Sequence, residues 1–181
     1  MDNEFNTFEA GVEPGGLRNS TQIRILVIFL VGSVSEPLSV SLITDALQIH
    51  GIANYFDAAD AIEELIENGS LTNENGILTL TDKGRTAFAD LTDELPATVK
   101  ETALADTANL QILEKNEKEN QVDISRCENG FNVIFRITHK GGSLMELTLY
   151  AADIEQAERL KHNFLRDPSR VYSSVVSILY S

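Results

Sequence analysis

The chain has 181 residues, of which 43% are hydrophobic, and it carries a formal net charge of −14 at pH 7. This composition is ordinary for a globular protein and excludes a disordered chain. The strong negative charge repels phosphate backbones and anionic membrane surfaces, so it argues against unaided binding to nucleic acid.

Sequence motifs for catalysis, metal binding or membrane insertion are missing. The single cysteine, Cys127, cannot form an internal disulfide, and the three histidines lie far apart, so we expect no metal site. Without a phosphate-binding glycine loop or an activated nucleophile, the sequence predicts a protein that is not an enzyme and uses no cofactor. Its most apolar run, residues 25–31, is shorter than the ~20 residues of a membrane span. The N-terminus is acidic, unlike that of a signal peptide, and we expect a cytoplasmic location.

The N-terminal half is predicted to begin with a flexible arm and three helices. Residues 1–18 are polar and include the helix-breaking sequence EPGG. Helix N-caps are expected at Asn19, Ser39 and Asn54, because each precedes apolar residues at helical spacing. In the third helix, NYFDAADAIEELIENG, the residues predicted to form the buried stripe are Tyr55, Ala59, Ile62, Leu65 and Ile66.

A hairpin and a fourth helix are predicted next. Asn75 and Gly76 suit a type I′ turn, because both residues tolerate the positive backbone dihedrals that match the twist of the strands. We expect strands near residues 70–73 and 77–80, and a helix that Thr81 caps and that ends near Leu91. Three helices, a hairpin and a helix are the element order of a winged helix-turn-helix domain, here filling residues 19–91.

The second half is predicted to contain a linker helix and a small sheet. Residues 92–120 carry an interrupted apolar seam that runs from Leu95 to Leu113. From residue 121 the apolar residues alternate, which predicts a three-stranded antiparallel meander, and two helices capped by Asp153 and Asp167 are expected to cover it. The predicted fold class is therefore α+β: an N-terminal winged helix-turn-helix domain, a linker helix, and a C-terminal meander packed by two helices over residues 121–181.

Two family resemblances accompany this pattern. The combination of ENGSL at residues 67–71 and NGILTLTDKGR at residues 75–85 resembles winged-helix regulators of the PadR and MarR type, which bind DNA as dimers. The whole chain also resembles an uncharacterised domain-of-unknown-function family of bacterial winged-helix proteins. The resemblance implies a fold and a regulatory role, but it brings no ligand or site.

The likeness to DNA-binding regulators implies a set of DNA-facing residues. Three lie at the start of the third helix, two on the wing and two at the end of the hairpin: Asn54, Tyr55, Asp57, Asn73, Asn75, Lys83 and Arg85. Asn can bind adenine edges, and Lys or Arg can hold phosphates. For Tyr55 the alternative is a place in the core, and for Lys83 and Arg85 it is solvation of a helix terminus.

Charge separates two functional hypotheses. Residues 1–91 contain 14 acidic and 4 basic residues, and the third helix has five acids and no base. The leading hypothesis is a dimeric transcriptional regulator that binds DNA weakly and uses its C-terminal domain for dimerisation or sensing. The alternative is a winged-helix interaction module that has lost DNA binding and recruits a protein partner through its acidic surface. A third hypothesis, a small-molecule sensor, would place a ligand beneath the meander.

A homodimer is expected under the leading hypothesis. The seam of the linker helix is too apolar for a lone exposed helix, so we expect the dimer to use this helix, the C-terminal sheet, or both.

Overall fold

The computed structural model describes residues 12, 16–17, 19–139 and 142–181. Within these residues the chain is a mixed α+β structure with seven α-helices and two three-stranded antiparallel sheets. In chain order the elements are α1 (Ser20–Ser33), β1 (Leu38–Ser39), α2 (Val40–Ile49), α3 (Tyr55–Glu67), β2 (Leu71–Glu74), β3 (Ile77–Leu80), α4 (Asp82–Leu91), a 3-10 turn (Thr92–Glu94), α5 (Ala97–Glu119), β4 (Asn120–Cys127), β5 (Gly130–His139), β6 (Gly142–Ala151), α6 (Ile154–Arg166) and α7 (Pro168–Tyr180).

The chain divides into two units, Met1–Leu110 and Gln111–Ser181, and the division falls within α5. The predicted arm, residues 1–18, lies outside the described residues except at positions 12, 16 and 17. Leu17 is buried, and its N–H donates to the carbonyl of Ile52 over 2.7 Å. This residue therefore belongs to the core of the first unit.

Side-chain caps start the helices of the first unit. The Asn19 side chain accepts the N–H of Thr21 at 2.8 Å, and the Ser39 hydroxyl accepts the N–H of Leu42 at 3.1 Å. Thr81 does the same for α4. Each cap satisfies an amide that the helix itself leaves without an acceptor, so the predicted starts of α1, α2 and α4 are confirmed.

The helix α1 supplies much of the first core, and α3 packs against it. The buried stripe of α3 consists of Ala58, Ala61, Ile62 and Leu65. The prediction that Tyr55 belongs to this stripe is wrong, because its side chain is 47% exposed. At 100° per residue the buried side chains lie on an arc centred to one side of Tyr55, so its ring falls at the margin of the buried face. Ala59 and Ile66, also predicted to be buried, are half-buried.

The hairpin β2–β3 turns at Asn75 and Gly76, whose φ angles are 54° and 84°. The predicted two-residue turn is thus confirmed, and the strands pair in the register Leu71↔Leu80 to Glu74↔Ile77. The strand β1 adds to β3 and gives the order β1-β3-β2. It was not predicted, because two residues are too few to show a periodic pattern.

The second unit contains the predicted meander, in the order β4-β5-β6. Val133 and Phe135 are buried on its apolar face, and the Phe135 ring lies 4.8 Å from that of Phe164 in α6. Asp153 and Asp167 cap α6 and α7 as predicted. Cover by two helices is uneven, because α7 adds only the half-buried Val171 to this core. Among the described residues, none of the helices has the length and apolarity to cross a membrane.

Candidate interaction surface around the third helix

Asn54, the first of the predicted DNA-facing residues, forms the N-cap of α3. Its Oδ1 accepts the N–H of Asp57 at 2.9 Å, and its Nδ2 donates to the Asp57 carboxylate over 2.5 Å. Asn54 is also buried, with 6% of its surface exposed. The structure brings Asn54 and Asp57 together as a helix cap, in which the amide is already bound to the protein.

Two aromatic side chains are exposed beside this cap. Tyr55 and Phe56 are 47% and 71% exposed, and their rings meet edge to face with centroids 5.6 Å apart. Phe56 was not among the predicted site residues. At 100° per residue Phe56 falls outside the predicted apolar stripe. This position was the signal that could have identified it as a surface residue.

The rest of the outer face of α3 is acidic. The exposed acids are Asp60, Glu63, Glu64 and Glu67. Glu64 is neutralised by Arg24 of α1, whose guanidinium also donates to Thr21 over 2.9 Å. The other three form no ion pair with any described residue. This face therefore presents a concentrated negative charge.

An open groove of about 600 Å³ runs beside these acids. Glu63, Glu67 and the hairpin residue Asn73 form its polar lining. Its apolar lining comes from α2 and α3 and consists of Val40, Ala59, Ile62 and Ile66. The Asn73 side chain accepts the N–H of Gly76 at 3.0 Å, which holds it in the turn. We call this feature the acidic groove. It combines an apolar surface with two carboxylates that lie one helical turn apart.

The predicted cations do not converge on the acidic groove. Lys83 donates from Nζ to the carbonyl of Asn68 over 2.6 Å, so it lies at the C-terminal end of α3, where a positive charge is favourable. Arg85 is exposed and lines a different groove, of about 460 Å³, with residues of α1, β3 and α4. Asn75 is exposed at the tip of the hairpin. The fourth basic residue of the first 91 residues besides Arg24, Lys83 and Arg85 is Arg18, which lies outside the described residues.

The sequence of this surface falls within a known family. The model of a family described as Domain of unknown function (DUF4364) matches residues 23–179. The chain belongs to the DUF4364 family. Neither a curated protein nor a solved structure matches the chain. The DUF4364 match begins within α1 and ends within α7, so it includes α3, the hairpin and most of both units.

No cluster of three His, Cys, Asp or Glu side chains suited to a metal ion occurs among residues 19–139 and 142–181. Cys127 is a half-buried free thiol at the end of β4. What the α3 surface offers a ligand is therefore apolar contact together with negative charge.

Proposed function

We propose that the Met1–Leu110 unit is a winged-helix domain, in which α3 is the recognition helix and the β2–β3 hairpin is the wing. The order α1, β1, α2, α3, β2, β3 supports this assignment. So does the pairing of the short strand β1 with β3, which ties the hairpin to the start of α2. The kinship to PadR and MarR regulators belongs to the same proposal.

We infer that this domain acts by binding a protein partner, in a regulatory role and without catalysis. The single observation that carries the inference is the acidic groove on α3. Phosphate binding requires cations at the interface, whereas Asp60, Glu63 and Glu67 would face the nucleic acid without described counter-charges. Of the nearby cations, Arg24 is paired with Glu64 and Lys83 is bound to the end of α3.

The chemistry of the groove specifies the partner. Its apolar lining favours aliphatic or aromatic side chains, and Glu63 and Glu67 favour cations on the same segment. Residues four apart on a helix are neighbours about 5–6 Å apart, so a second helix with Lys or Arg at the same spacing would match both carboxylates. The proposed partner is thus a basic amphipathic helix that lays its apolar face in the groove.

A labelled amphipathic peptide of Lys and Leu is a direct probe for this proposal. We expect the wild-type protein to bind it in a fluorescence anisotropy titration. The double variant Glu63→Lys with Glu67→Lys should bind at least about tenfold more weakly, since loss of two ion pairs plus new repulsion costs about 1.4 kcal/mol or more. A wild-type protein that does not bind the peptide would count against the acidic groove as a binding site.

The matched control reverses two exposed acids of the other unit, Glu155→Lys with Glu158→Lys. Both double variants change the net charge from −14 to −10, because each reversal adds two positive charges. The control should keep the wild-type affinity. Equal weakening of both variants would show that the peptide responds to total charge, and the proposal would fail.

DNA binding is the second candidate function. Arg85 is exposed and lacks an ion pair within the described residues, and Tyr55 and Phe56 are exposed at the start of α3. On this hypothesis Lys83 would have to leave the Asn68 carbonyl to hold a phosphate. The double variant Lys83→Ala with Arg85→Ala should then abolish binding to duplexes of any sequence, while leaving peptide binding unchanged.

A further inference from the structure

The last helix of the chain, α7, is half-buried along much of its length and exposed at its end. Of its residues only Pro168 is buried, and only Val171 is packed against the core of the second unit. Ile178, Leu179 and Tyr180 are 73%, 79% and 90% exposed. An apolar face of this kind on a structured helix is typical of an interaction site.

The side chains of α7 separate into two faces. At 100° per residue the apolar residues occupy one broad arc: Val171, Tyr172, Val175, Val176, Ile178, Leu179 and Tyr180. The opposite arc holds Arg170 and serines: Ser173, Ser174 and Ser177. The apolar face is therefore continuous from the first turn of the helix to its end.

Charge indicates what can cover this face. The chain has a net charge of −14, so two copies repel each other over most of their surfaces. From Pro168 to Ser181 there is no Asp or Glu, and the one charged residue is Arg170. A second copy can thus approach along α7 without setting acid against acid.

Arg170 lies outside this contact, on the serine-bearing face of α7. It forms no ion pair with any residue that the structure describes. If two α7 helices pack antiparallel through their apolar faces, Arg170 therefore points away from the partner helix and puts no charge into the contact. The helix dipoles themselves are then opposed, which favours the pair.

We propose that α7 binds α7 of a second copy, antiparallel about a two-fold axis near Val175 and Val176. Such a contact is self-complementary, because the same patch of each copy meets the other. This differs from a dimer through the linker helix, because the seam residues Leu95, Val99 and Ala103 are buried within the first unit. The proposal is independent of what α3 binds.

The size of the contact sets its strength. A helix of 13 residues is about 20 Å long, and a pair of them buries less than the ~800 Å² per partner of a standard interface. The dimer should therefore be reversible, with a dissociation constant on the order of micromolar. Added salt should tighten it, because salt screens the repulsion between two negative chains.

Sedimentation velocity of the full chain from about 1 to about 100 µM covers that range. The wild-type mass should rise with concentration from 19.9 kDa toward twice that value. Val176→Glu with Leu179→Glu should stay monomeric, because it puts acids into the apolar contact. The control Ser174→Glu with Ser177→Glu adds the same charge to the opposite face, and it should dimerise like the wild type.

A gentler variant covers the case in which added charge disturbs folding. Leu179 is 79% exposed, so Leu179→Ser should leave circular dichroism unchanged while weakening the dimer by about tenfold. The proposal is overturned by a wild-type protein that stays at 19.9 kDa throughout. A dimer that neither Leu179 variant weakens, or that the serine-face control weakens equally, overturns it as well.

Discussion

On the face of the second sheet opposite its core, Arg136 lies between two carboxylates. Its Nε donates to Glu146 over 2.7 Å, and its Nη1 donates to Asp123. The hydrogen bond from Arg136 holds the pKa of the Asp123 carboxyl below its ordinary value of 3.8, and the hydrogen bond from Gln121 acts in the same direction. A lowered pKa means that the folded state favours the ionised carboxylate.

We predict a pH response from this cluster. Because the folded pKa of Asp123 is depressed, its contribution to stability is present above the unfolded pKa and is lost as pH falls through the folded pKa. Carboxyl chemical shifts followed by NMR should show Asp123 titrating below 3.8. Arg136→Gln should raise that midpoint, whereas a midpoint that does not change would contradict the assigned cause.

Residue pairs such as these could not be predicted from the sequence. Arg24 and Glu64 are 40 residues apart, and His50 lies 2.7 Å from the buried Asp106, which is 56 residues away. Each pair depends on how helices pack against each other, which the sequence pattern does not indicate. For the candidate site, the acids of α3 were evident from the sequence, but the ion pair between Glu64 and Arg24 was not.

At the scale of elements, the turns and helix caps that depend on neighbouring residues could be predicted from the sequence. The turn at Asn75 and Gly76 and the caps at Asn19, Ser39 and Thr81 depend on residues within a few positions of each other. Features that depend on distant partners were missed, such as the strand β1, which exists through its pairing with β3. The error at Tyr55 has the same origin, since which face of α3 is buried depends on how the helix packs against α1 and α2.

The cap of α3 gives a prediction at this scale. Asn54→Ala should lower the free energy of unfolding by about 1 kcal/mol, because the first turn of α3 loses its side-chain acceptor. Asn54→Ser keeps an acceptor and should retain most of the stability. Urea denaturation followed by circular dichroism measures both variants. Equal stability of the alanine and serine variants would mean that the cap does not hold the start of α3.

For the whole molecule, the distribution of charge is the basis on which we propose partners. The chain as a whole carries −14, and α3 concentrates negative charge on the helix that would face DNA in a winged-helix protein. By contrast α7 has no acids and a continuous apolar face. The two surfaces differ in chemistry, so we propose different partners for them: a basic amphipathic helix for α3 and a second copy for α7.

The most direct test of the α3 proposal is a titration of random-sequence duplex DNA at low salt. At about 10 mM salt the Debye length is about 30 Å, so any electrostatic attraction to DNA is near its strongest. We predict no binding by the wild-type protein at tens of micromolar, while the Lys and Leu peptide still binds under the same conditions. Saturable DNA binding by the wild type that is lost in Lys83→Ala with Arg85→Ala would contradict the account.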